Sequence, residues 1–346
     1  MLRLFPEDSD RWRSTALRVA IIAFVFLVLP GGAILYTVHM PGWSHAGPIP
    51  PPPPAEQAMI PRQERTIQVL AHEIGPRNVR NARKLHAAER HITDELKALG
   101  LQVATQEIVV FDTPTHNVEV AFPGAALPDE IVLIGAHYDT VTLSPGADDN
   151  ATGVAALLEI ARALAAPDAP KLDRTVRLVF FVNEEAPFYK EEGMGSVAYA
   201  RRSKARGEQI VGMLSLDMLG YYSDDSGSQR FPPIYRWEWR DAGDFILIMG
   251  GLRARPFVQQ AVGLFRETTA MPCRGIAVAP EFAGSDRSDH WSFHLEGYPG
   301  AIVTDTGVSR NPHYHQLTDT LDTLDLNRLA RVTSGLITVT QRLATE

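Results

Sequence analysis

Residues 131 to 153 read IVLIGAHYDTVTLSPGADDNATG. His137 and Asp139 follow the short apolar run IVLIG, and Asp148, Asp149 and Asn150 follow a Pro-Gly turn. A carboxylate two residues from a histidine can turn back to hold the imidazole's second N–H, which fixes the ring for metal ligation. Read blandly, the same residues are a polar loop with a satisfied histidine and N-capping aspartates. Three carboxylates crowded around one imidazole would repel each other without a cation, so their joint presence favours a metal.

The missing ligands come from further along the chain. RTVRLVFFVNEE (174–185) is an apolar run closing on Glu184 and Glu185, and IVGMLSLDMLGYY (210–222) carries Asp217. The loop after GAIVTDT (300–306) contains NPHYHQLTDT, with His313, Tyr314 and His315. Taken singly, paired glutamates read as a solvated surface pair, a strand-end aspartate as a turn former, and a loop histidine as merely polar. All of them, however, follow apolar strands, at the edge of an open α/β sheet where active sites collect. The set is His, Asp, Glu, Asp, His, with nitrogen and oxygen donors only, which suits zinc before manganese or cobalt. Five ligands exceed one open catalytic zinc but fit two metals sharing a carboxylate. Paired metals polarise a carbonyl and generate hydroxide near neutral pH. One of the adjacent glutamates is then left to take the water's proton.

Positioning these groups requires a large domain. The chain has 346 residues, 45% hydrophobic and 21% charged, enough for one globular domain plus an extra segment. A net charge of −8 argues against a nucleic-acid surface. The single cysteine, Cys273, excludes an intrachain disulfide and cysteine-based zinc sites. Strands expected at 101–111, 116–122, 131–137, 174–185, 210–222, 245–251, 275–280 and 300–306 alternate with helices at 58–74, 79–98, 153–165, 195–204, 256–269, 288–297 and a long closing helix. That pattern predicts an α/β domain over 58–346 with helices on both faces of a central, mixed but mostly parallel sheet of about eight strands.

The N-terminal part is different in kind. Arg3, Arg11, Arg13 and Arg18 precede about 20 uncharged residues from Val19 to Val38, long enough to span a bilayer. No Lys or Arg occurs between Val19 and Pro61, so residues 1–18 are expected in the cytoplasm and the domain on the periplasmic or extracellular side. The length of the run favours an uncleaved anchor over a signal peptide cut after Ala46. Residues 39–57, with five consecutive prolines at Pro50–Pro54, are expected as a stiff polyproline spacer. Residues 221–244 read as an aromatic insertion able to cover the site. Arg230, Arg236, Arg240 and Arg253 are candidates to hold a substrate carboxylate.

The motifs GAHYDT (135–140), PGADDNATG (145–153), NEE (183–185), SLDM (215–218) and NPHYHQLTDT (311–320), in this order, resemble the co-catalytic zinc aminopeptidases of clan MH. These are the bacterial leucyl aminopeptidase, aminopeptidase S and aminopeptidase Y types, relatives of glutamate carboxypeptidase II. The resemblance covers most of the domain and implies a zinc exopeptidase-like fold, two zinc ions and a peptide substrate. It implies that Asp149 bridges the metals, that His137 and Asp217 complete one site, and that Glu185 and His315 complete the other. It further implies Asp139 as the group orienting His137, Glu184 as general base, Tyr314 as a donor to the oxyanion, and a cis peptide between Asp149 and Asn150. Register with the following TDT favours His315 over His313. The chain departs from the secreted members in the APFYKEEGMGS stretch after NEE, in the aromatic insertion and in its tether. A glutaminyl cyclase-like transferase on the same scaffold, a carboxypeptidase or dipeptidase, and a non-catalytic binding module are the competing readings.

Overall fold

The structure, a computed structural model, describes residues 9–232, 235, 241–279 and 282–345. The chain forms two units, Met1–His39 and Met40–Glu346. In the first, α1 (Ser9–Ala23), a π-helical turn (Phe24–Val28) and α2 (Leu29–Val38) follow without a break. Trp12–Val38 is long and apolar enough to cross a membrane by length and composition. Pro30 falls inside this continuous helix and removes one of its backbone N–H donors, which membrane-crossing helices tolerate. The expected span 19–38 lies inside this helix, which also takes in residues 9–18 of the segment assigned to the cytoplasm; residues 1–8 lie outside the described part.

The second unit begins earlier than the sequence suggests. Met40 is a buried core residue. The stretch expected as a free spacer is instead laid along the domain. The Arg266 guanidinium donates to the carbonyls of Met40, Pro41 and Gly42. Buried Arg331 donates to those of Pro50 and Pro51 and to Glu56. A polyproline-type chain makes no internal hydrogen bonds, so its carbonyls are available to such donors. Pro54 then opens α3 (Pro54–Ile67), which continues as a π-helical stretch, Gln68–Ile74. After α4 (Ala82–Ala98) the sheet begins.

Its strands are β1 (Ala104–Val110), β2 (Thr113–Phe122), β3 (Leu127–His137), β4 (Arg174–Phe181), β5 (Gln209–Leu216), β6 (Ile246–Gly251), β7 (Cys273–Val278) and β8 (Gly300–Thr304). Their spatial order is β1-β2-β4-β3-β5-β8-β6-β7. Of the seven pairings four are parallel and three antiparallel. The centre, β4-β3-β5-β8, is wholly parallel, so those four strands end on one edge. β3 is buried on both faces, which accounts for its unbroken apolar run. Val132 and Ile134 enter the larger core, while Ile131 and Leu133 enter a smaller one. The larger core is closed by α3, α4, α5 (Gly153–Ala165), α7 (Arg255–Thr268) and α9 (Leu326–Thr345), the smaller by α6 (Gly195–Ala205) and α8 (His290–Leu295). This is the expected three-layer α/β arrangement.

Two strands stop sooner than their sequences suggest. β4 ends at Phe181 rather than Glu185, and β5 at Leu216 rather than Tyr222. In each case a non-glycine residue with positive φ follows, Asn183 at +58° and Met218 at +58°. A left-handed residue cannot continue a strand, so the acids leave the sheet and are turned toward the cleft. Of the aromatic insertion, a bridge between Ser223 and Gly243 closes the base. Residues 233, 234 and 236–240, including Trp237, Trp239, Arg236 and Arg240, lie outside the described residues.

Candidate metal centre

The last residue of β3 and the segments that follow β3, β4, β5 and β8 bring together His137, Asp149, Glu185, Asp217 and His315. His137, Asp149 and Asp217 form one group and Asp149, Glu185 and His315 a second, with the donor atoms of each group within 4.8 Å of one another. Asp149 belongs to both. Its Oδ1 lies 3.3 Å from His137 Nε2 and its Oδ2 3.1 Å from His315 Nε2. Asp217 Oδ1 is 3.6 Å from His137 Nε2, and Glu185 Oε1 is 3.2 Å from His315 Nε2. His313 is placed elsewhere, its ring bonded to Thr318 Oγ1 and edge-on to Tyr221. Tyr314 stacks on His315 with centroids 3.8 Å apart.

Local conformation explains how a loop holds such a cluster. Gly146, at φ +66°, makes the turn before the aspartates, and a Cβ there would lie 2.4 Å from Thr140 Cγ2 and 2.5 Å from the Asp149 carbonyl. The Asp149–Asn150 peptide is cis. The Asn150 amide then spans to the next strand, donating to Leu216 O and accepting from the Gly153 and Met218 N–H groups. His315 itself has φ +60°, so left-handed residues lie at, or within two positions of, Glu184, Glu185, Asp217 and His315. Such conformations persist where the surroundings over-determine them and concentrate at functional sites.

Asp139 does more than its sequence position suggested. Its Oδ1 is 3.6 Å from His137 Nδ1, beyond hydrogen-bond range. Its two oxygens accept the backbone N–H groups of Glu184 and Glu185 at 3.0 and 3.1 Å. The carboxylate therefore ties the β3 end to the glutamate pair as well as flanking the imidazole.

The electrostatics of the cluster call for positive charge. Burial alone would lower the His137 pKa, but Asp139, Asp149 and Asp217 push it well above its ordinary value. His315 rises to about 10 in the same way, with burial opposed by Asp149 and Glu185. Burial, reinforced by Asp149, lifts Glu185 to about 7. Asp149 stays low despite its burial, because both imidazoles face it. Glu184, in neither group, is raised well above the carboxylate range by burial, with Glu185 and Asp217 adding to it. His137 Nδ1 and Glu185 Oε1 are buried without a geometrically acceptable hydrogen bond. Imidazoles drawn up and carboxylates forced to share charge are what divalent cations relieve. The donor set, two imidazoles and three carboxylates, fits zinc.

Three buried residues escaped the sequence reading. Arg77, fully buried, donates to the carbonyls of Leu70, Tyr138, Pro145 and Gly146. It fastens both ends of the loop between His137 and Asp148. Asp319 accepts the N–H groups of Asp148 and Asp149 on its two oxygens, at 2.8 and 3.2 Å, and it stands in the TDT quoted above without having been singled out. Asp289 is buried with neither oxygen hydrogen-bonded, and burial lifts it to about 7. Nothing in the local spelling of SDHWSF marks it. Arg77 lies some sixty residues upstream of the loop it fastens, so no local pattern could have found it.

Residues 117–340 match Peptidase family M28. The chain belongs to this family. Over 327 residues this M28 chain is 32% identical to YfbL of Escherichia coli strain K12, covering 92% of itself and 98% of that protein. It is 27% identical over 241 residues to the probable leucine aminopeptidase 1 of Trichophyton verrucosum, covering 64% of this chain and 57% of that one. It thus spans little more than half of that fungal relative. Among solved structures it superposes on the zinc aminopeptidase BSAP of Bacillus subtilis with TM-score 0.64 at 15% identity, covering 83% of this chain and 95% of the other. On a Bacteroides thetaiotaomicron glutaminyl cyclase the TM-score is 0.58 at 18% identity, covering 85% and 99%. These two likenesses are of fold. Family membership makes the M28 chain a metallopeptidase-type hydrolase.

Proposed function

We propose that the protein is a membrane-anchored two-zinc exopeptidase, an aminopeptidase, that releases N-terminal residues from peptides. The observation that carries this reading is a pair of complete ligand groups sharing Asp149, beside a further buried carboxylate, Glu184, that joins neither. His137 and Asp217 would hold one ion with Asp149, and Glu185 and His315 the other. Bound zinc would polarise the scissile carbonyl and make water acidic enough to act as nucleophile near neutral pH.

The chain's own groups supply the rest. Glu184 takes the attacking water's proton and passes it to the leaving amine, a role matched to a buried carboxyl of raised pKa. Asp139 fixes the Glu184 and Glu185 backbone so that one glutamate binds and the other faces the cavity. Tyr314 lines the same cavity, and burial keeps its hydroxyl protonated and able to donate to the developing oxyanion. In this reading the helix over Trp12–Val38 is the anchor, and the absence of Lys and Arg from Val19 to Pro61 supports a domain on the periplasmic or extracellular side.

The test is hydrolysis of amino-acid anilides by the full-length protein as purified, after chelation and after zinc return, with metal content measured alongside. Activity is expected to vanish with the metal and return with zinc. Glu184→Gln is expected to keep two zinc ions and lose roughly 10²- to 10⁴-fold in kcat. A two-zinc protein that releases no residue from any free-amine substrate, but cyclises N-terminal glutamine, would move the reading to the transferase on this scaffold.

A further inference from the structure

The cavity beside the ligand cluster has a volume of about 650 Å³. That is within the range of sites for compact ligands. Its charges are segregated. All carboxylates among its described lining residues, Asp149, Glu184, Glu185 and Asp217, stand at the metal centre. Its arginines, Arg230 and Arg287, come from two loops: the insertion after β5 and the turn before α8. Apolar side chains such as Met249, Ile276 and Ile302 line the same cavity.

Among the described residues neither arginine side chain has a hydrogen-bond or ion-pair partner. Two neighbouring cations are engaged elsewhere. Lys190 pairs with Asp286, and Arg310 bonds Gln229 and the Phe245 carbonyl. The backbones of the free pair are nonetheless fastened, Arg230 N–H to Ser309 O at 3.0 Å and Arg287 N–H to Gly284 O at 3.1 Å. The Arg287 side chain lies across Gly284, where an added Cβ would meet its Cδ at 3.1 Å. In a chain of net charge −8, two unpaired guanidiniums on the wall of a largely apolar cleft make a local anion site. Guanidinium forks match carboxylates in particular.

The geometry points to a substrate that is a short peptide carrying a carboxylate, held by Arg230 and Arg287 while its free amine and scissile carbonyl lie at the metal centre. This rests on the aminopeptidase reading. The carboxylate comes from one of two sources, the C-terminus of a di- or tripeptide or an acidic side chain at the substrate's N-terminal residue.

The experiment uses the full-length, zinc-loaded protein and separates kcat from KM. One arm compares Leu-Gly-Gly with its C-terminal amide, and the other compares the anilides of glutamate and leucine. The wild type is expected to favour the carboxylate partner in one arm by roughly tenfold, mostly through KM. The arm that shows it names the source. Arg230→Gln with Arg287→Gln together should bring that ratio near one, Arg287→Lys should retain part of it, and Arg253→Gln, outside the cavity, should leave it as in the wild type. Equal use of both partners in both arms, or a preference that survives the double substitution, overturns the proposal. Leucine anilide carries no carboxylate, so its zinc-dependent hydrolysis separates the two readings. If it persists with ratios near one, only the arginine proposal fails. If no free-amine substrate is cleaved, the aminopeptidase reading fails and takes this one with it.

Discussion

The inner edge of the cleft and its outer wall are built on opposite principles. At the inner edge the candidate ligands lie at or in the loops after the C-terminal ends of parallel strands, and those segments are tied to their neighbours through Asp139, Asn150, Asp319 or Arg77. The wall is drawn from loops, the insertion after β5 and the turn before α8, and there Arg230 and Arg287 stand exposed, with no partner among the described residues. Chemistry needs donors held within tenths of an ångström, which packed strand ends supply. Choice of substrate needs side chains that can change without disturbing those donors, which loops supply.

Substitutions at the inner edge should therefore be expensive and those on the wall selective. The largest effect is expected from Arg77→Met. It strands four buried carbonyls and should lower stability by about 3 kcal/mol, read from denaturant midpoints. A loss under about 0.5 kcal/mol would mean that the loop is held without it. Asp319→Ala comes next. Removing the acceptor for two N–H groups at the bridging aspartate should weaken zinc binding roughly 10- to 100-fold, measured by competition with a chelator. Unchanged affinity would separate Asp319 from the centre.

The strap at the start of the domain offers a smaller test. A chain beginning at Met40 retains the carbonyls bound by Arg266 and Arg331, whereas one beginning at Ala55 does not. The shorter chain should melt roughly 5 °C lower, and equal melting temperatures would restore the free-spacer description of residues 40–54. The smallest effect belongs to the wall. Phe231→Ala should shift the ratio of kcat/KM between phenylalanine and leucine anilides by roughly two- to tenfold without altering metal content. A loss of zinc there would erase the contrast between edge and wall.

Much of the inner edge was legible in the chain. Acids and histidines that follow the central strands converge, as the order of strands predicted, because parallel strands deliver their C-terminal ends to one side; it was the family resemblance that singled out His137, Asp149, Glu185, Asp217 and His315 among them. The strand limits were less legible. NEE and SLDM read as continuations of apolar runs, but Asn183 and Met218 take left-handed conformations that no periodicity reveals. The docking of the proline-rich stretch was illegible for a related cause. Its composition specifies an extended chain but not the two arginines, more than 200 residues away in sequence, that bind it to the domain.

By itself, then, the sequence determined the order of strands and helices, the apolar N-terminal helix and the donor set. Each is written in local spacing and side-chain type. The tertiary structure alone decided that Asp139 is bonded to the glutamate backbones and that Arg77 and Asp319 hold the loop carrying Asp148 and Asp149. It also decided which of the described arginines reach the cavity. Those are contacts between residues far apart in the chain, and folding the sheet is what brings them within bonding distance.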